Sequence, residues 1–208
     1  MPDFDDEEYE SFELPGKTGR TPPATTGVVE VDDDLEDGDD DDDDEPEDAT
    51  DDEIDFVLAA YREDGEPRVQ ELTKDLANDL DELIVQLRRL PGDAGSIGFV
   101  SLVEEVFVIV RVRGQHVQVL LSDETAAGEW PIARDVADYL GEEIPEEEDE
   151  PEPMGDLGIL SDLGLSDFDL GAILDDLDMG SDEMLMAVAD RIKLNPQFRK
   201  VAEAALHG

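Results

Sequence analysis

Residues 106–122 read VFVIVRVRGQHVQVLLS, two runs rich in β-branched residues on either side of Gly114-Gln115. That dipeptide suits a two-residue hairpin loop with glycine at its first central position. The loop sets the register: Arg113 faces His116, Val112 faces Val117, Arg111 faces Gln118 and Val110 faces Val119. Successive side chains of a strand point to opposite faces of a sheet. One face therefore carries Val106, Val108, Val110, Val112, Val117, Val119 and Leu121. The other carries Arg111, Arg113, His116 and Gln118 near the turn, then Phe107, Ile109 and Leu120 farther along. A second face that is half apolar needs a partial cover.

Outward from this hairpin, residues 97–103 read as a preceding strand. Residues 54–61 (IDFVLAAY) read as another, with a turn at Asp64-Gly65 and a short return strand over 68–72. Thr73 is placed to cap a helix running to about Leu90. Its Leu76, Leu80, Leu83, Ile84, Leu87 and Leu90 form one stripe, and Pro91-Gly92 stops it. Acidic residues in its first half and Arg88-Arg89 in its last turn suit the helix dipole. Pro131 opens a second helix to Leu140, with Ile132, Ala133, Val136 and Leu140 on one side. The order ββαβββα defines an α+β domain over 54–141, built on an antiparallel sheet of about five strands.

The flanks differ in composition. The 208 residues carry 61 acidic and 14 basic side chains, a net charge of −47. Residues 1–53 account for −23 of it and residues 142–156 for −9. Both segments hold too little apolar surface to offset chain entropy, so the first is expected to be a disordered acidic arm and the second an acidic linker. Residues 157–208 read as a small all-helical segment. In it Ser166 with Asp169 resembles a capping box, Ser181 is placed to cap a helix, and Asn195-Pro196 to start the last one. Asp-Leu-Gly recurs at 156–158, 162–164 and 169–171, a spacing that sets helix starts and stops. Cysteine is absent, which excludes disulfides and thiolate chemistry. The acidic opening MPDFDDEEYE is unlike a signal peptide, and no apolar run is long enough to span a bilayer, so a cytoplasmic protein is expected.

Several segments in consistent order resemble the tRNA adenosine deaminase-associated protein family of actinobacteria. They are FVLAAYREDG…VQEL at 56–72, the leucine helix, FVSLVEEVFVIVRV…VQVLLSDETAA at 99–127, the acidic linker, and ILSDLGLS at 159–166. The resemblance spans roughly residues 54–208 and leaves the acidic arm outside it. It implies a link to the deaminase that makes inosine at the tRNA wobble position, and it carries over no catalytic residue.

The deaminase chemistry itself is excluded. A zinc deaminase needs His or Cys ligands with a Pro-Cys-x-x-Cys segment, and this chain has no Cys and only His116 and His207. No nucleophile elbow, Walker A or dinucleotide motif is present, so no enzyme, cofactor or metal is expected. A calcium loop centred on Gly38 fails because Leu35 would occupy a ligand position. The arm, with six consecutive aspartates at 39–44, reads as a solubilising tail; docking and nucleic-acid mimicry are its alternatives. Arg111, Arg113, His116 and Gln118 form the one local basic strip. It reads either as a solvated sheet face or as a contact for a partner's acidic surface or for the arm. A chain this acidic is repelled by tRNA phosphates and anionic lipid. The expected function is that of a non-enzymatic accessory that contacts the deaminase as a protein, with a nucleic-acid-mimicking regulator as the alternative.

Overall fold

The computed structural model describes residues 46–92, 95–145 and 151–207. Its strands are Ile54–Glu63 (β1), Glu66–Glu71 (β2), Ser96–Leu102 (β3), Val106–Arg113 (β4), His116–Leu121 (β5) and Met154–Gly155 (β6). They form one antiparallel sheet in the order β2-β1-β3-β4-β5-β6. The helices are Leu80–Arg88 (α1), Pro131–Leu140 (α2), Asp167–Leu174 (α3), Ser181–Arg191 (α4) and Gln197–Leu206 (α5). The α+β class holds, with six strands where the sequence suggested about five. The β4–β5 register is the expected one, Arg113 opposite His116 through Val110 opposite Val119. Gly114 supplies the positive φ, 62°, that the loop requires.

Both faces of the sheet are buried. The valine face packs Val106, Val108, Val110 and Val112 with Leu83, Leu87, Ile132 and Val136 from α1 and α2. Close approach of α1 is possible because β3 has Gly98 there; a Cβ at that position would lie 2.9 Å from Leu87 Cδ1. The opposite face presents Phe56, Leu58, Phe99, Phe107, Ile109 and Leu120, and α3, α4 and α5 cover it. Phe198 of α5 meets Phe56 and Phe99 edge-on, with ring centroids 6.1 and 5.0 Å away. The C-terminal helices are thus the cover that the half-apolar face demands. The result is three layers, helices on sheet on helices.

The structure departs from the sequence reading at several points. The helix expected from Thr73 to about Leu90 is broken: a 3-10 turn, Lys74–Asn78, precedes α1, and Thr73 makes no side-chain cap. Asn78 bonds the backbone of Ala49 through both ends of its amide, while the Asp79 carboxylate accepts the Glu82 N–H at 2.7 Å. Short polar side chains favour such caps over helix interiors. Order extends outside the 54–141 boundaries as well. Ala49 is buried, and Met154–Gly155 at the end of the acidic linker is strand β6. Gly155 (φ 110°) lets that strand close in, since a Cβ would sit 2.4 Å from Val119 O. The arm over 1–45 and linker residues 146–150 lie outside the described residues.

Ser181 is not a cap but the first residue of α4, buried, with its hydroxyl sharing a 2.7 Å hydrogen bond with Ser101. Ser101 also donates to Asp55, which accepts the Glu104 N–H. Glu104 O in turn accepts the Ser181 N–H at 2.9 Å. This network clamps a β3–β4 loop whose Val103 and Glu104 both have positive φ, 46° and 59°, a conformation β-branched residues rarely adopt. Ser166 caps α3 as expected by accepting the Asp169 N–H; the Asp169 carboxylate accepts from the Ser166 hydroxyl in place of the backbone N–H of a full capping box. Pro196, expected as the first helical residue, instead holds the N-cap position of α5, and Asn195 one residue farther back accepts the Arg199 N–H at 3.0 Å. Among the described residues no helix is long and apolar enough to cross a membrane.

Because Phe198 bonds the helical layer to the sheet by packing alone, Phe198→Ala should cost about 3–5 kcal/mol of stability. The lone Trp130 packs on the opposite layer. In urea titrations its fluorescence and the far-UV circular dichroism should shift together, and separate midpoints would show that the layers unfold independently.

Candidate functional site

Arg111 lies on β4, with Gln118 opposite it on β5 and Arg113 two residues along the same face. Across this strip runs the segment carrying the first two Asp-Leu-Gly repeats. Arg111 is 2% exposed; it donates to Ile159 O at 2.6 Å and with both terminal nitrogens to the Asp162 carboxylate. Arg113 donates to Gln118 at 2.7 Å and stands 3.6 Å from the same Asp162. Gln118 donates to Asp156, whose other oxygen accepts the Gly158 N–H. Arg111, Arg113 and Gln118 are therefore brought together around the chain's own C-terminal segment. His116 stays exposed at the hairpin end.

The pairing with Arg111 holds the Asp162 carboxyl below the ordinary carboxylate range, its hydrogen bonds outweighing the opposing effect of burial. Each repeat thus spends its aspartate inside the chain: Asp156 on Gln118, Asp162 on Arg111, and Asp169 on the Ser166 cap. Gly164 (φ 101°) ends the short 3-10 turn Ser161–Leu163. The expectation that the recurrence sets helix starts and stops holds for the second repeat but not for the third, which lies inside α3 with Gly171 in mid-helix.

A second titratable cluster lies where α1 begins beside α2. Asp135 accepts the Leu80 N–H at 3.0 Å, adding a cap from a distant helix to that of Asp79. Its carboxyl is pushed up, first by burial and then by Asp79, Asp138 and Asp81, against the lowering effect of the Leu80 bond. Among the described residues no group of three His, Asp or Glu side chains is arranged to hold a metal ion.

One surface feature escaped the sequence reading. Phe168 on α3 is 82% exposed and Leu177 just after it 89%. The segment FDLGAILDDL drew notice for its Asp-Leu-Gly repeat alone. Its apolar residues fall all round the helix, so no periodicity marks Phe168 as the one left outside.

The family model described as Rv3753c-like tRNA adenosine deaminase-associated protein matches residues 55–195. Protein Rv3753c of Mycobacterium tuberculosis (strain ATCC 25618 / H37Rv) is 36% identical over 151 residues, 71% of this chain and 87% of that protein. No solved structure matches the chain. The chain belongs to the Rv3753c-like tRNA adenosine deaminase-associated protein family. That description is of a protein associated with a deaminase, not of a deaminase. The matched span contains Arg111, Gln118, Asp156 and Asp162, and it stops before α5.

Asp162→Asn should lower stability at pH 7 by about 1.5–3 kcal/mol, the range for a hydrogen bond to a charged group. A carboxyl with a lowered folded-state pKa adds stability above its unfolded pKa and loses it as pH falls through the folded one. The gap between wild type and variant should therefore close on acidification, seen in urea unfolding repeated at descending pH. Asp135→Asn should act in the opposite sense. A raised folded-state pKa costs stability above that pKa, so this variant gains at neutral pH and the gain vanishes in acid.

Proposed function

We propose that this protein is a non-catalytic cytoplasmic accessory of tRNA adenosine deaminase and acts on it through protein contact, without gripping RNA. The observation that carries this reading is how the chain uses its cations. Arg111, Arg113, Arg191 and Arg199 pair with carboxylates of the chain itself, as does Arg68. Arg62 and Lys74 donate to backbone carbonyls. Phosphate binding depends on free Lys and Arg; among the described residues these seven are engaged within the chain, and carboxylates far outnumber the Lys and Arg left exposed. The family description, tied to a deaminase, supports the choice of partner. On the β4–β5 strip, Arg113 and His116 are the residues with surface left for such a contact.

The test is co-purification of the full chain with the deaminase across a salt series. Association at low ionic strength that weakens as salt rises is expected, with no retention of tRNA by the protein alone. Failure to associate at low salt would sink the proposal. Residues 1–53 act as a solubilising arm in this reading, so deleting 1–45 should leave association in place; a nucleic-acid mimic would lose its effect instead.

A further inference from the structure

We infer that α3 and the loop after it form a docking surface for a basic protein segment with an apolar face. The inference rests on the accessory reading for its choice of partner, and on local chemistry for everything else. Phe168 and Leu177 are more than four-fifths exposed, whereas the other large exposed apolar residues, such as Tyr139 at 47% and Val85 at 40%, keep about half or more of their surface covered. Single exposed apolar residues are ordinary. Two nearly bare ones within ten residues, at the start of one short helix and just past its end, mark this helix and its exit as the place where apolar surface is left uncovered.

Helix α3 buries Leu170 and Ile173. Phe168, Gly171 and Ala172, at helical spacing i, i+3 and i+4, lie away from that core-facing pair. A Cβ added at Gly171 would meet nothing within 4 Å, so this side of the helix is bare. Beyond the helix, Leu177 borders a groove with Leu174, Met184, Pro151 and Pro153.

The occupant follows from charge. Asp167, Asp175, Asp176 and Asp178 are exposed around the patch, and no Lys or Arg occurs between residues 167 and 183. A second copy of this chain, its own acidic arm, an RNA or an anionic lipid surface would each bring more negative charge to it. A segment with apolar side chains ringed by Lys or Arg matches both parts.

The experiment titrates the full chain with an amphipathic Leu/Lys helical peptide and, separately, with the deaminase. Phe168→Ala with Leu177→Ala leaves charge unchanged and should weaken both complexes at least about tenfold, as loss of an apolar anchor does. Ala172→Glu adds negative charge on an exposed helical position. A partner held by charge alone would then bind more tightly, so weaker binding is the expected result and tighter binding overturns the inference. Binding by the double variant equal to wild type overturns it too. If the peptide follows the expected pattern but the deaminase does not bind wild type, the accessory reading fails and the surface stands. If wild type binds the deaminase and the variants bind equally, the surface assignment fails and the reading stands. Concentration-dependent dimers in sedimentation velocity, lost in the double variant, would make a second copy the occupant and reject the basic partner.

Discussion

The alternation of side chains along β4 is the constraint on which the architecture rests. It sends Val106, Val108, Val110 and Val112 to one layer and Phe107, Ile109 and Arg111 to the other. A sheet apolar on one side needs one layer of helices; a sheet apolar on both needs two. The first cover comes from α1 and α2, close in sequence to the strands they protect. The second can come only from the residues after the acidic linker, because no other segment has apolar residues enough to supply it. The C-terminal helices are therefore part of the same fold as the sheet, and they close its phenylalanine face.

Arg111 is the exception within that second face, a cation among Phe, Ile and Leu. Burying a guanidinium costs several kcal/mol unless it is paired and hydrogen-bonded. Here Ile159 O and the bidentate Asp162 satisfy it. Well-packed apolar residues could fill the same space at similar stability, so the pair is better understood as fixing position than as adding net energy. It fastens the segment over 156–164 together with Asp156 on Gln118 and Gly155 against Val119. Helix α3 starts directly after this fastening.

How much of this could be read from the sequence depended on range. The hairpin register was legible because a two-residue loop and strict alternation leave no freedom. The Ser166 cap was legible because its partner, Asp169, lies three residues away. By contrast, the break at Asp79 depends on Asn78 reaching Ala49 and on Asp135 reaching Leu80, contacts 29 and 55 residues away in the chain. Strand β6 was hidden for a similar reason, since two residues in an acidic stretch carry no period. The strip on β4–β5 was correctly placed on one face. Its role was not legible, because the aspartates that occupy Arg111 and Gln118 lie 51 and 38 residues downstream.

The acidic excess has its own logic. Helix N-termini carry partial positive charge and favour nearby carboxylates. Asp81 and Glu82 open α1, Asp167 and Asp169 open α3, and Asp182 and Glu183 open α4, while Arg88 and Arg191 stand in last turns. The folded part thus seats some of its negative charge where the backbone stabilises it, and buries one arginine, Arg111, to fasten the segment over 156–164 to the sheet. Exposed Lys and Arg such as Arg88, Arg89, Lys193 and Lys200 remain, but carboxylates far outnumber them and the described surface is predominantly negative. Against polyanions such a surface is a barrier; against a basic protein it raises the encounter rate without fixing an orientation. Orientation needs apolar contact of defined shape, and the bare side of α3 is where this chain offers it.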